Sequence, residues 1–242
     1  MNLVIDIGNT LVKTAIFNKT TLVEKNIFPK EKLIYSLKGI FKNHHITHSI
    51  MSSVGSINLS DLQIIKKLYN PIILDQNTKL PFKNFYITPK TLGVDRIALV
   101  VAAVTKYPNN NVLIIDAGSC ITYDFVNKNN EYFGGAISPG IEMRYNALHS
   151  YTANLPKLSF TNEIPLSGDS TENSIHIGVL NGTINEIKGT IDQFKAKNKK
   201  LTVVLTGGDT IFLAKNLKST IFANPNFLLE GLNSILFYNL GE

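Results

Sequence analysis

A strand-and-turn segment occurs twice in this chain of 242 residues, 110 positions apart. The first copy reads Leu3-Val4-Ile5-Asp6-Ile7-Gly8-Asn9-Thr10, and the second reads Leu113-Ile114-Ile115-Asp116-Ala117-Gly118-Ser119-Cys120. Leu, Asp and Gly coincide, and every other position up to the Gly is apolar in both. Each copy is an apolar β run ending in an acid, a glycine and a small polar residue. A second apolar run follows each, Val12 to Phe17 and Ile121 to Val126. The pattern predicts a β-hairpin whose tight turn carries a carboxylate beside hydroxyl or amide groups. Glycine lets the main chain approach a ligand closely, and the amides of such a turn can face phosphate oxygens. The repeat is too long for a solenoid unit and implies duplicated domains, whose two turns, facing each other, would hold a nucleotide.

The remaining pattern fits that duplication. Strands are expected at 2–7, 11–18 and 21–28, then a helix near 30–42 and a strand before Ser52-Ser53. A helix over 59–69, a short strand at Ile72-Ile73-Leu74 and a helix from about Asp95 to Lys106 complete the first half. The second half repeats the order, with strands at 112–117, 121–127 and 132–137 and a helix after Pro139-Gly140. A long helix starting at Ser170 or Thr171 carries the apolar stripe Ile177, Leu180, Ile184, Ile187, Ile191 and Phe194. The strand Leu201 to Leu205 follows, then Thr206-Gly207-Gly208-Asp209, a helix, and a last helix over 228–240. Each half thus reads as three antiparallel strands followed by alternating helices and strands, with division expected into 1–111 and 112–242.

Composition excludes several classes. With 44% hydrophobic and 17% charged residues the chain can bury a proper core. No apolar run reaches the roughly 18 residues of a membrane span. A start directly on a strand, and a single cysteine, Cys120, point to a reducing, cytoplasmic setting. A net charge of +6 permits nucleic-acid contact without requiring it. The cationic run Lys195-Ala196-Lys197-Asn198-Lys199-Lys200 reads as a solvated helix end, where cations suit the helix dipole. Neither a nucleic-acid nor a membrane partner is expected, and the positive field would steer an anionic substrate.

Several motifs carry chemistry beside a plainer meaning. Asp6 to Thr10, with Lys13 in the next strand, can cradle phosphate while Asp6 holds hydrated Mg²⁺. Asn and Gly also favour hairpin turns for conformational reasons alone, and it is the recurrence at Asp116 to Ser119, followed by Thr122 and Asp124, that favours a ligand. Gly93-Val94-Asp95-Arg96 precedes an apolar helix. Asp95 there is a helix-start acid or a functional one, and Arg96 offers a fork suited to a carboxylate. Gly134-Gly135-Ala136-Ile137-Ser138-Pro139-Gly140 admits a ligand, another backbone, or only a turn. Gly207-Gly208 suits the end of a nucleotide pocket. His44, His45 and His48 read as a solvated loop, and Cys120 as a small packed residue.

Together these motifs resemble the type III pantothenate kinases of the acetate and sugar kinase, heat-shock chaperone and actin superfamily. Asp6-Ile7-Gly8-Asn9-Thr10 is similar to the family's first phosphate motif. Tyr86, Pro89 and Gly93 to Arg96 are similar to its substrate and catalytic segment. Asp116 to Ser119, with Thr122 and Asp124, are similar to the second phosphate motif. Gly134 to Gly140, Leu155-Pro156 and Thr171 follow in order. The resemblance implies an α/β fold of two ribonuclease-H-like (actin-like ATPase) domains, duplicated, each a mixed sheet flanked by helices. It implies ATP-dependent phosphorylation of pantothenate, the first step towards coenzyme A, by a homodimer. Carried over, Asp95 is the base, and Tyr86, Gly93, Val94, Asp95, Arg96 and Thr171 bind pantothenate. Asp6, Ile7, Gly8, Asn9, Thr10, Leu11, Val12, Lys13 and Ser119 contact ATP. Asp116 holds a monovalent cation, K⁺ or NH₄⁺, and Asp6 reaches Mg²⁺ through water. Ser119 stands where the family usually has Thr, and a hydroxyl is kept.

Three rivals remain on the same scaffold. They are a regulatory accessory protein, another small-molecule kinase or phosphohydrolase, and a nucleotide-binding module without turnover. The retained acids Asp6, Asp95 and Asp116 favour catalysis.

Overall fold

The segment Asn2–Ile7 (β1) is buried along its whole length, as a strand covered on both faces must be. In this computed structural model, which describes residues 1–9, 11–54, 57–217 and 220–241, β1 is the central strand of a five-stranded sheet. Its antiparallel neighbour is Leu11–Asn18 (β2), which in turn pairs with Thr21–Pro29 (β3). On the other side it pairs in parallel with His48–Ser53 (β4), and β4 with Ile72–Ile73 (β5). The order is β3-β2-β1-β4-β5.

Alternation along β1 sends Leu3, Ile5 and Ile7 to one face, where they join Leu37 and Ile40 of Leu33–Asn43 (α1) and Ile65 of Leu59–Tyr69 (α2) in one core. Asn58 caps α2, its side-chain oxygen accepting from the Asp61 amide at 2.7 Å. The opposite face carries Asn2, Val4 and Asp6. Val94–Lys106 (α3) is apolar all round and buried from Arg96 to Val104, so it has to be covered on all sides. Phe227–Leu240, the last helix (α7), packs directly on it: a Cβ at Gly231 would lie 2.0 Å from the Ala98 carbonyl oxygen. Asn233 of α7 accepts from Asn2 at 3.2 Å and donates to the Lys19 carbonyl at 2.9 Å.

The second sheet is built alike. Asn111–Ala117 (β7) is central, between Cys120–Val126 (β8) and Leu201–Thr206 (β10), with Glu131–Pro139 (β9) beyond β8 and Phe222–Ala223 (β11) beyond β10. Five strands of this sheet run in the order β9-β8-β7-β10-β11, which repeats that of the first sheet. Ile141–Ser150 (α4), Thr171–Lys197 (α5) and Thr210–Leu217 (α6) pack with Leu113, Ile115 and Ala117 in one core. At its head the buried side of α5 turns to Ile175 and Val179, where Tyr145 of α4 bonds His176 at 2.8 Å. Ile177, expected in the stripe, is therefore only half-buried. Among the described residues no helix is long and apolar enough to cross a membrane.

These elements form two units. The first holds Met1–Pro108, Asn130–Phe133 and Asn226–Glu242, and the second holds Asn109–Asn129 and Gly134–Pro225. The expected division near residue 111 differs from this grouping in two segments. The start of β9 counts with the first unit because Lys83–Asn84 (β6) pairs with Glu131 and Tyr132, and α7 does so through α3.

Thr14 of β2 lies opposite Ile5 on the core-facing side, is 0% exposed, and its hydroxyl finds no hydrogen-bond partner. An unsatisfied buried hydroxyl is costly, and its removal leaves the packing shape nearly unchanged. Thr14→Val should therefore raise the stability by about 1 kcal/mol, read as a higher denaturant midpoint at unchanged slope.

Candidate active site

Strand register places Lys13 of β2, Asp6 of β1 and Ser52 of β4 side by side on one face. Asp6 and Ser52 are buried, and the Ser52 hydroxyl donates to Asp6 Oδ1 at 2.9 Å. Burial pushes the Asp6 carboxyl above its ordinary range, while the Ser52 hydrogen bond and the Lys13 ammonium pull it down. The negative charge of Asp95 pushes it up further, so the two acids feel each other.

The turn beyond Asp6 closes with the Gly8 amide donating to the Leu11 carbonyl at 3.0 Å, and the Val54 amide donates to the Ile7 carbonyl at 3.2 Å. Asn9 and Leu11 are exposed and Lys13 is half-buried. The side chains of Ile7 and Val12 lie in the core, so any part they take in binding is through the main chain. Thr10 lies outside the described residues.

Asp95 stands in the first turn of α3, behind the extended Gly93. Its Oδ1 accepts the Arg96 amide at 2.8 Å. A Cβ at Gly93 would lie 2.3 Å from the same oxygen, so glycine is what lets the carboxylate fold back over the helix start. A helix N-terminus favours a carboxylate there. Arg96 is buried, with its guanidinium carbon 5.6 Å from the centre of the Tyr86 ring. Tyr86 itself stacks on buried Tyr132, with ring centres 6.3 Å apart. The arginine thus supports the tyrosine from within.

In the second unit register sets Thr122 of β8, Asp116 of β7 and Thr206 of β10 side by side, the counterparts of Lys13, Asp6 and Ser52. The Thr122 hydroxyl is enclosed and has no hydrogen-bond partner. A carboxylate beside an orphan hydroxyl oxygen is a donor set suited to a hard cation. The turn here is one residue shorter. Ala117 pairs with Ile121, with three residues between them, whereas Ile7 pairs with Val12 across four.

Two glycines back this turn. A Cβ at Gly140 would lie 2.2 Å from the Gly118 carbonyl oxygen and 2.5 Å from that of Ser119. At Gly207, whose φ is +98°, it would lie 2.2 Å from the Ala117 oxygen and 2.5 Å from Asp116 Oδ1. At Gly135 it would lie 1.6 Å from the Tyr123 oxygen. In each case the space goes to neighbouring main chain, and at Gly207 to the Asp116 carboxylate as well. The Asp209 amide donates to the Ala117 carbonyl at 3.0 Å. Thr171 is the exposed first residue of α5, which Ser170 caps.

Cys120, expected to be packed, is exposed: it opens β8, and alternation gives the core position to Ile121. His44 lies 2.9 Å from Glu24. Sequence reading assigned no role to Ser52, Thr206 or Glu142. Small polar residues closing the buried runs of β4 and β10 were the visible signal, but only register brings them to the two acids.

A family model described as type III pantothenate kinase matches residues 2–193. A protein of that name from Christiangramia forsetii is 53% identical over 241 residues, 99% of each chain. Among solved structures, a Baf family transcriptional activator from Campylobacter jejuni is similar, with a TM-score of 0.65, 22% identity and coverage of 99% of this chain and 100% of that one. So is a ROK family glucokinase from Streptomyces griseus in complex with glucose and AMPPNP, with a TM-score of 0.54, 9% identity and coverage of 100% and 99%. At these identities the structures show the fold, which is the actin-like one.

Burial, followed by the charge of Glu142, pushes the Asp209 carboxyl up to about 6 from 3.8. Between those values the folded chain binds more protons than the unfolded one, so stability falls as pH rises from about 4 to about 6 and stays lower above. Asp209→Asn should remove that fall. The variant would be more stable than its parent above pH 6 and match it near pH 4, measured as denaturant midpoints across the range.

Proposed function

This chain belongs to the type III pantothenate kinase family, and from that membership we infer how its own residues phosphorylate pantothenate, the first step towards coenzyme A. The acceptor is a primary alcohol, which does not ionise near neutral pH. A carboxylate that takes its proton as the γ-phosphoryl group arrives lowers the barrier. Asp95 is that base. The observation that carries the assignment is its place at the N-terminus of α3, close enough to Asp6 for the two charges to interact.

The rest of the donor set follows. The turn from Asp6 to Lys13 and the hydroxyl of Ser119 contact ATP, with main-chain amides and the Lys13 ammonium meeting phosphoryl oxygens. Tyr86, Gly93, Val94, Arg96 and Thr171 bind pantothenate, and buried Arg96 keeps a positive charge behind Tyr86 for the substrate carboxylate. The desolvated Asp6 carboxylate suits hydrated Mg²⁺, which favours its ionised form. Held there, Mg²⁺ would neutralise charge on the phosphates. Asp116, which register sets beside the orphan Thr122 hydroxyl, would hold a monovalent cation, K⁺ or NH₄⁺.

The enzyme works as a homodimer in the cytoplasm, without nucleic-acid or membrane partners. Self-association is supported by apolar surface in the first unit: Phe85 stacks on Phe133 with ring centres 5.0 Å apart, both are exposed, and Ile87 is 97% exposed. A purely regulatory role would leave Asp95 without a task.

Two experiments test the reading. Asp95→Asn should lower turnover about 10²- to 10⁴-fold in a coupled ADP-release assay with pantothenate, ATP and Mg²⁺, while the KM for ATP stays within about twofold. Unchanged turnover would remove Asp95 from the mechanism. Parent enzyme should be activated by K⁺ or NH₄⁺ over Na⁺, and Asp116→Asn should lose that activation. A salt response identical in the two proteins would place the cation elsewhere.

A further inference from the structure

We propose that Arg144 and Glu186 are positioning residues for the nucleotide: they fix the support behind the Gly118-Ser119 turn and so set the enzyme's response to ATP, leaving that to pantothenate untouched. The proposal rests on the reading that this turn contacts ATP.

Arg144, in the second turn of α4, reaches back along its own chain. Its Nε donates to the Pro139 carbonyl at 2.9 Å and its Nη2 to the Ser138 hydroxyl at 2.9 Å. Nη2 also donates to Glu186 of α5. The other Glu186 oxygen accepts the hydroxyl of Tyr123 from β8 at 2.8 Å. Burial alone would raise the Glu186 carboxyl, yet hydrogen bonds from Arg144, Ser138 and Tyr123 hold it below the ordinary range. One carboxylate thus ties β8, the end of β9 and α4 to the long helix.

The tied segment matters because of what it carries. Gly140 directly follows the two residues that Arg144 grips. It faces the Gly118 and Ser119 carbonyls so closely that even a methyl group would collide. A support with no slack transmits any shift of its anchor. A half-buried ion pair is weak evidence for stability, because desolvation offsets much of its attraction, whereas its several directed bonds fix geometry. Phosphate contacts depend steeply on geometry, and a displacement of about 1 Å from a distant change can cost up to about 10²-fold in rate.

The test compares steady-state KM values for ATP and pantothenate in Arg144→Met, Arg144→Lys and Ser119→Ala, with thermal melting to confirm folding. Arg144→Met should raise the KM for ATP about tenfold and change that for pantothenate less than about twofold. Arg144→Lys, which restores one of the lost contacts, should recover part of the difference. Should Arg144→Met fail to fold, Glu186→Gln, which keeps size and an accepting oxygen, decides by the same split. A folded variant with a lower melting temperature but an unchanged KM for ATP would reduce the network to a structural brace and overturn the proposal. An equal rise for both substrates would overturn it too. Ser119→Ala separates the two failures. If it raises the KM for ATP and Arg144→Met does not, only the positioning role falls. If neither responds, the turn's contact with ATP falls as well.

Discussion

A carboxylate at the closed end of a central strand is the constraint around which the first unit is arranged. Taking Asp6 out of water is unfavourable unless partners replace the lost hydration. The Ser52 hydroxyl on one side and the Lys13 ammonium on the other supply them. Both come from neighbouring strands, so the requirement falls on register. A slip of one residue in β1 would swing Asp6 into the apolar core shared with α1 and α2 and bring Ile5 or Ile7 to the site. The hairpin turn, the parallel β1–β4 pairing and the placing of α3 are then parts of one arrangement.

The two copies of this arrangement have diverged in charge. In the first unit the acid is flanked by a cation and a serine, in the second by two threonines. Lysine brings its own positive charge to the Asp6 carboxylate. A pair of hydroxyls brings no charge of its own. The shorter second turn adds to the contrast, since its support comes from Gly140 and Gly207 pressed against its main chain.

Much of this was legible in the chain. Both hairpins, the helix beginning beside Asp95 and the long helix from Thr171 were readable because their hydrophobic periods are strong and local. What escaped depended on partners far away in sequence. Gly135, Gly140 and Gly207 signalled close approach, but only coordinates show that the approaching group is main chain. Ser52 and Thr206 become meaningful through register, which no local pattern encodes. Arg144 and Glu186 are 42 positions apart, on two different helices, and neither stands out from ordinary surface charge. The exposure of Cys120 is not readable locally, because a β run at its first residue does not reveal which face that residue takes.

The pairing of α7 with α3 bears on how the polypeptide reaches its native state. Gly231 seats against Ala98, so the first unit draws a structural layer from a segment synthesised more than 120 residues later. While the ribosome is still translating the intervening stretch, α3 has an apolar flank with no cover. Loop closure over such a span is slow compared with helix formation, and local contacts cannot substitute for it. The second unit, whose strands and helices lie between those two segments, can assemble first, and the amino-terminal unit is completed only once α7 has emerged.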